Sequence, residues 1–261
     1  MIIVPGLSEQ QIVRLAQSDL ERSMLRKKLG SPVVYRYSSP EALVFELNMR
    51  SRIAEASRAM NASGAAFAVF EYSRANPQYW SVDANGGIRL KSGVRPSDGL
   101  RDIFVNGRLY AFECATAMVI ILYKATLDMI GNAAFDYYFP NLLLYDWQYD
   151  SDLRLITTNN LNEANIGDIL YFKNPDFNPA TPEWQGENAV VLGDNLYFGH
   201  GMGIRTGEAI LETLNRRRRP GSVIPAYLTD TVLRPDFNYI RRLSGRTGSV
   251  IARIGSVSFA V

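Results

Sequence analysis

Hydrophobic spacing divides the chain into a helical first quarter and a later part dominated by short apolar bursts. Residues 8–30 carry a weak helical pattern, with Ile12, Leu15, Leu20 and Leu25 among charges, and Pro32 ends it. The next helix is better marked. Ser38 with Glu41 three residues later has capping-box spacing, and Pro40 falls in the first turn. Leu43, Leu47 and Ala54 mark an inner face, and Gly64 supplies a C-terminal stop.

Beyond Gly64 the period shortens. Residues 66–72 and 79–82 read as strands, and Asp83-Ala84-Asn85-Gly86-Gly87 is a turn into a third at 88–90. Residues 97–105 fit a short helix. An apolar helix begins at Cys114 and is expected to stop at Gly131. Strand-like segments follow at 142–147, 168–172, 187–192 and 196–200, with a Pro- and Asn-rich loop at 174–179. A last helix is expected over 206–219 and a further short element over 226–233. This order predicts an α+β fold, helices packed around a central antiparallel sheet. Residues 1–243 are expected to form one domain, and the Gly- and Ser-rich tail, 244–261, to be partly disordered.

Composition narrows the partners more than the fold. The chain has 261 residues, 47% hydrophobic and 21% charged, an ordinary balance for a globular protein able to bury a core. A net charge of +2 sets up no field that points to nucleic acid or a membrane. The one basic cluster, Arg216 to Arg219, precedes Pro220-Gly221 and reads as a solvated helix end. The N-terminus lacks the basic and apolar regions of a signal peptide, so cytoplasmic synthesis without export is expected. The longest apolar run, 115–123, is about half a membrane span. With one cysteine there is no internal disulfide, and one cysteine with one histidine argues against a tight zinc site. No cofactor is expected.

That scarcity focuses the chemistry on one pair. Cys114 heads an apolar helix, where unsatisfied amides and the macrodipole should lower a thiol's pKa and could hold an oxyanion. A free cysteine is equally at home as a small core residue. His200 closes the strand-like segment 196–200. A two-residue turn at Gly193-Asp194 would pair Leu192 with Asn195, Val190 with Tyr197 and Glu187 with His200. Opposed side chains then lie about 4.5–5.5 Å apart, placing a carboxylate beside the imidazole. Glu187 could orient the imidazole or take the thiol proton itself; an exposed Glu–His surface pair is the bland alternative. Glu113 is either a helix cap or an auxiliary base. Phe67, Trp80, Trp147, Tyr171 and Trp184 could wall a water-excluding site, or simply fill the core. Gly199-His200-Gly201-Met202-Gly203 lacks the spacing and context of a dinucleotide fingerprint.

Several stretches resemble a known family: Phe45-Glu46-Leu47-Asn48-Met49-Arg50, Tyr110-Ala111-Phe112-Glu113-Cys114-Ala115-Thr116-Ala117, Leu144-Tyr145-Asp146-Trp147, Leu170-Tyr171-Phe172-Lys173-Asn174-Pro175, Trp184-Gln185-Gly186-Glu187-Asn188 and Tyr197-Phe198-Gly199-His200-Gly201-Met202-Gly203-Ile204. Together they resemble the bacillus-type protein-glutamine γ-glutamyltransferase, the small transglutaminase of spore coats. The resemblance implies a cysteine-peptidase-like fold of the NlpC/P60 type with the catalytic Cys at a helix N-terminus. It implies Cys114 as nucleophile, Glu187 as its partner, His200 as third or supporting member and Glu113 as substitute acid/base. Substrate contacts are expected at Phe67, Trp147, Tyr171, Trp184 and Asn188. No calcium requirement follows, and spore coat proteins carrying reactive Gln and Lys become the expected partners. Two alternatives remain: a cell-wall cysteine peptidase or amidase of the same fold, and a non-enzymatic scaffold with an inert thiol.

Overall fold

A computed structural model describes residues 1–245, 251–254 and 257–260. Strands β1 (Ile2–Ile3) and β2 (Tyr35–Arg36) pair in parallel and bracket helices α1 (Glu9–Val13) and α2 (Asp19–Gly30). The weak helical signal of residues 8–30 is thus two helices. Each is started by a serine, Ser8 accepting from the Gln11 N–H and Ser18 from the Glu21 N–H. Helix α3 (Pro40–Ser63) is capped by Ser39, which accepts from the Ala42 N–H, one residue later than the Ser38–Glu41 spacing implied. Gly64 ends it with φ 83°, a left-handed turn that glycine adopts without steric cost.

Next come β3 (Ala66–Phe67), β4 (Trp80–Val82), β5 (Ile88–Leu90), α4 (Pro96–Val105) and β6 (Ala111–Phe112). The strand expected over 66–72 stops at Phe67, and Phe70–Tyr72 is a 3-10 turn. Helix α5 (Cys114–Tyr138) does not stop at Gly131. That residue takes φ 78° and kinks the helix, which then continues for seven residues. Met118, Val119, Ile120, Ile121 and Leu122 are all fully buried, so this turn and a half is apolar all round. By length and composition α5 could cross a membrane, but α3, α4 and α7 (Phe237–Ser244) pack around it as the central core helix.

Strand β7 (Leu143–Leu144) pairs with β5 and is shorter than the 142–147 segment expected. The main sheet is built from β8 (Leu155–Asn159), β9 (Ile169–Lys173), β10 (Gly186–Gly193), β11 (Leu196–Gly199), β12 (Gly203–Arg205) and β13 (Tyr227–Pro235). Its order is β12-β11-β10-β9-β13-β8, with every neighbour antiparallel. The element expected at 226–233 is therefore an inner strand. Helices α3 and α5 pack against β10, while α6 (Gly207–Asn215) closes a smaller core with Phe172, Ala189, Ile210 and Leu214. Helix α6 ends four residues earlier than expected. Arg216 caps it, and Arg219 leaves the helix end to pair with Asp176 at 3.0 Å. The result is the α+β arrangement of helices around an antiparallel sheet.

Buried charges lock helices to sheet. Glu46 is ion-paired with Lys28 at 2.8 Å and accepts from Arg50 at 2.7 Å, while Asp168 accepts from Arg50 at 2.8 Å and is ion-paired with Arg234 at 3.1 Å. Burial pushes the Glu46 carboxyl up, but Lys28 and Arg50 overcome it and hold the group well below the usual range. The backbone strands Ile251–Ile254 and Val257–Ala260 pair antiparallel. Of the tail expected to be partly disordered, 244–261, residues 246–250, 255–256 and 261 lie outside the described residues.

Candidate functional site

Cys114 is the first residue of α5, delivered there by β6, and Glu113 is the N-cap in extended conformation. One Glu113 oxygen accepts the Ala115 N–H at 2.7 Å; the other accepts the Cys114 thiol at 2.7 Å. A single carboxylate therefore caps the helix and holds the sulfur, so the cap and auxiliary-base readings of Glu113 are one arrangement. From β10, the Asn188 Nδ2 donates to Sγ at 3.7 Å.

The thiol is not the poised anion that a helix start suggests. Only 6% of Cys114 is exposed, and burial is the largest cause pushing its pKa well above the ordinary value. The negative fields of Glu187 and then Glu113 push the same way, while Asn188 opposes them weakly. The amide that could favour a thiolate, Ala115 N–H, is occupied by Glu113. Cys114 rests as a neutral hydrogen-bond donor.

Glu187, at the start of β10, is 5% exposed, and its Oε1 has no hydrogen-bond partner. Burial first, then the Glu113 charge, pushes its pKa well above the ordinary carboxylate value, which favours the protonated form. Its pairing with His200 is corrected by the strand register. The turn is Asp194-Asn195 rather than Gly193-Asp194, and β10 bulges between Val191 and Gly193. Val190 consequently faces Phe198, and Ala189 faces Gly199. Asn195 sets this turn. It takes φ 51°, its Oδ1 accepts the Gly207 N–H at 3.0 Å, and its Nδ2 donates to Glu208 at 2.7 Å, tying the hairpin to α6.

His200 lies just past the end of β11. Its ring stacks on Phe112 at 4.9 Å between centroids, and Nε2 is 3.1 Å from the Ala66 carbonyl. Burial brings its pKa down to about 4 against the pull of the Ala66 and Phe112 carbonyls, so the ring is neutral at pH 7. It is hydrogen-bonded to neither Cys114 nor Glu187; it buttresses the β3–β6 pair that carries Glu113 and Cys114 into place.

The aromatic residues separate into three groups. Trp147 and Tyr171, with Asn188, line a cleft of about 420 Å³ that contains Cys114. Phe67 and Trp184 line a smaller cavity of about 100 Å³ with Glu187 and His200. Trp80 is core. The side chain of Tyr171, opposite Asn188 in the sheet, donates to the Gln185 carbonyl at 3.3 Å. Burial raises its pKa, and the charges of Cys114, Glu113 and Glu187 raise it further, which marks all four as one cluster.

Sequence reading missed Asp146, Glu183, Thr157 and Thr231 of the cleft. Asp146 takes φ 50°, and its N–H donates to Thr116 Oγ1 at 2.9 Å, so the turn presenting Trp147 is anchored to the first turn of α5. Strand β8, which brings Thr157, carries no pattern that stands out from a loop. Among the described residues, no three His, Cys, Asp or Glu side chains gather as a metal-holding group.

A family model described as protein-glutamine gamma-glutamyltransferase matches residues 1–244. A curated protein-glutamine gamma-glutamyltransferase from Halalkalibacterium halodurans is 47% identical over 224 residues, 86% of this chain and 78% of that protein. One from Bacillus pumilus is 42% identical over 247 residues, covering 94% of this chain and all of that protein. Among solved structures, a transglutaminase from Geobacillus stearothermophilus, without its C-terminal extension, superposes with a TM-score of 0.76. It is 48% identical, over 79% of this chain and 98% of that one.

Proposed function

The chain belongs to the protein-glutamine gamma-glutamyltransferase family and is an acyltransferase, and on that premise we propose that Cys114 is its nucleophile, with Glu113 and Glu187 dividing the proton transfers. The observation that carries this division is the 2.7 Å contact from Sγ to Glu113, beside a second carboxyl, Glu187, whose burial favours its protonated form.

In the first half-reaction Glu113 takes the thiol proton as Sγ attacks the side-chain carbonyl carbon of a protein glutamine. Asn188 Nδ2 is placed to stabilise the developing oxyanion. The C–N bond breaks, the Glu187 carboxyl protonates the leaving nitrogen, and ammonia departs from a thioester on Cys114. Glu113 is now protonated and Glu187 ionised. A neutral lysine amine then attacks the thioester and gives its extra proton to Glu187, while the departing sulfur recovers its proton from Glu113. Both carboxyls return to their starting states. The isopeptide bond is the product, and ping-pong kinetics follow from the covalent intermediate.

Trp147 and Tyr171 supply the apolar wall that favours the neutral amine and keeps water from the thioester. Phe67 and Trp184 flank Glu187 from its other side. His200 is a positioning residue in this scheme, acting through Phe112 and Ala66. Family membership sets aside the cell-wall hydrolase and scaffold alternatives. We read residues 1–243 as one catalytic unit with an NlpC/P60-type core, and spore coat proteins as its substrates; relatives among Bacillus species support the latter. Incubating the protein with a glutamine-containing protein and a labelled primary amine tests the scheme. Cys114→Ala protein that still incorporates amine overturns it.

A further inference from the structure

The two spaces that share Glu183 differ in the charged side chains beside them. The cleft holding Cys114 is lined by the carboxylates Glu113, Asp146 and Glu183 and by no lysine or arginine. The small cavity on the far side of Glu183 is itself lined by Glu183, Glu187 and His200, and two arginines are held against other residues of its wall. The Arg217 guanidinium carbon lies 4.5 Å from the Trp184 ring centroid, and Arg205 Nε donates to the Met202 carbonyl at 2.8 Å. Trp184 and Met202 both line that cavity.

Both arginines are exposed, and among the described residues no carboxylate is ion-paired with either. Their neighbours differ: Arg216 pairs with Glu212, and Arg219 with Asp176. The nearby Glu208 is occupied by Asn195, and Glu183 sits on the wall shared by the two spaces. Each of the two guanidiniums is thus pinned by an uncharged partner, an indole face or a backbone carbonyl, which leaves its charge uncompensated.

Building on the reading of Cys114 as nucleophile, we propose that Arg205 and Arg217 form a docking rim for acidic residues flanking the reactive glutamine of protein substrates. The rim repels a lysine ammonium, so the neutral glutamine is the side chain whose neighbours it suits. The wall between rim and cleft is a single 3-10 turn, Pro182–Gln185, in which Glu183 faces both spaces. An extended substrate advancing about 3.3 Å per residue crosses such a turn in roughly two to four residues. A carboxylate at that offset from the glutamine meets the rim while the carboxamide enters the cleft.

The test uses the full chain, glutamine peptides differing only by Asp or Asn two to four residues from the glutamine, and hydroxylamine, an acceptor uncharged at neutral pH. At low salt the Asp peptide should show a kcat/KM about fivefold higher, a preference that fades at high salt. Arg205→Gln and Arg217→Gln should each reduce it, and the double variant should erase it with the Asn peptide unaffected. Arg217→Glu should favour Lys-flanked peptides, and Arg216→Gln should change nothing. Equal rates on both peptides in the unaltered protein, a preference surviving in the double variant, or equal slowing of both peptides overturns the rim. Peptide binding to Cys114→Ala protein, followed by tryptophan fluorescence, reads the rim without chemistry. An Asp preference there with no turnover in the unaltered protein would defeat the catalytic reading and keep the rim.

Discussion

The Glu187 carboxyl lies directly over the α-carbon of Gly199, so close that a methyl group there would fall 2.5 Å from Oε1. The side chain of one strand occupies the room its neighbour lacks. Gly199→Ala should push Glu187 aside and leave the rest of β11 in place. General acid–base groups contribute about 10²–10⁴-fold, so kcat should fall by up to roughly that factor. The melting temperature should drop by only a few degrees, for a steric cost of about 1–3 kcal/mol. Unchanged kcat in a folded variant would remove Glu187 from the chemistry.

Glu113 has two duties that substitutions separate. Glu113→Gln keeps a side-chain oxygen for the Ala115 N–H but cannot take the thiol proton, so stability should hold while kcat falls about 10²-fold or more. Glu113→Ala should lose the same activity and a further ~1 kcal/mol of stability as the cap disappears. Chemical denaturation beside turnover assays distinguishes the two.

The thiol should alkylate slowly. Burial, with Glu187 and Glu113 beside it, holds it protonated, so iodoacetamide should react with Cys114 more slowly than with a free thiol at pH 7. The rate should climb only in alkaline solution. Glu113→Gln removes one of those negative fields and should shift the whole profile to lower pH. A rate at neutral pH above that of a free thiol would reinstate the thiolate expected from the helix start.

His200 links stability to mild acid. Its folded pKa of about 4 lies below the ordinary 6.5, so the unfolded chain binds a proton first as pH falls. Its contribution is complete above pH 6.5 and is lost as pH falls towards 4, with a ceiling of about 3 kcal/mol. Denaturation midpoints measured across that window should decline in the unaltered protein. His200→Gln should flatten the part of the slope due to this ring.

The buried charges make a stability test far from the cleft. Asp168→Asn leaves Arg50 and Arg234 facing an uncharged amide inside the core, at a cost of about 3–5 kcal/mol. Urea denaturation reads this directly. A loss below 1 kcal/mol would mean that the network is replaceable by neutral hydrogen bonds.

Elements with strong local signals were legible in the sequence. Gly64, the segment 97–105 and the start of the apolar run at Cys114 marked helix limits that the fold keeps to within a residue. The hairpin was placed but its register was not, because the choice of turn rested on Asn195 bonding to α6, a contact twelve residues away. Gly131 misled for a similar reason, since its surroundings let a kink continue as helix. Strand β8 stayed hidden because it shows no clean apolar period, and helix α7 because Phe237, Ile240 and Leu243 mark an apolar face over only eight residues.

In the cleft, residue identities were readable and protonation states were not. Cys114, Glu113, Glu187 and Asn188 do converge. Whether a helix-start sulfur is an anion depends on burial and on which carboxylate takes the first free amide, and both are set by tertiary structure.

Holding its proton between turnovers also affects how long Cys114 survives. Oxidation to sulfenic acid starts from the anion, so a sulfur kept uncharged is a poor target for peroxide. The chain has no second thiol to rescue a damaged one through a disulfide. The contact from Glu113 that keeps the proton on Sγ thus shelters the chain's one thiol from oxidants.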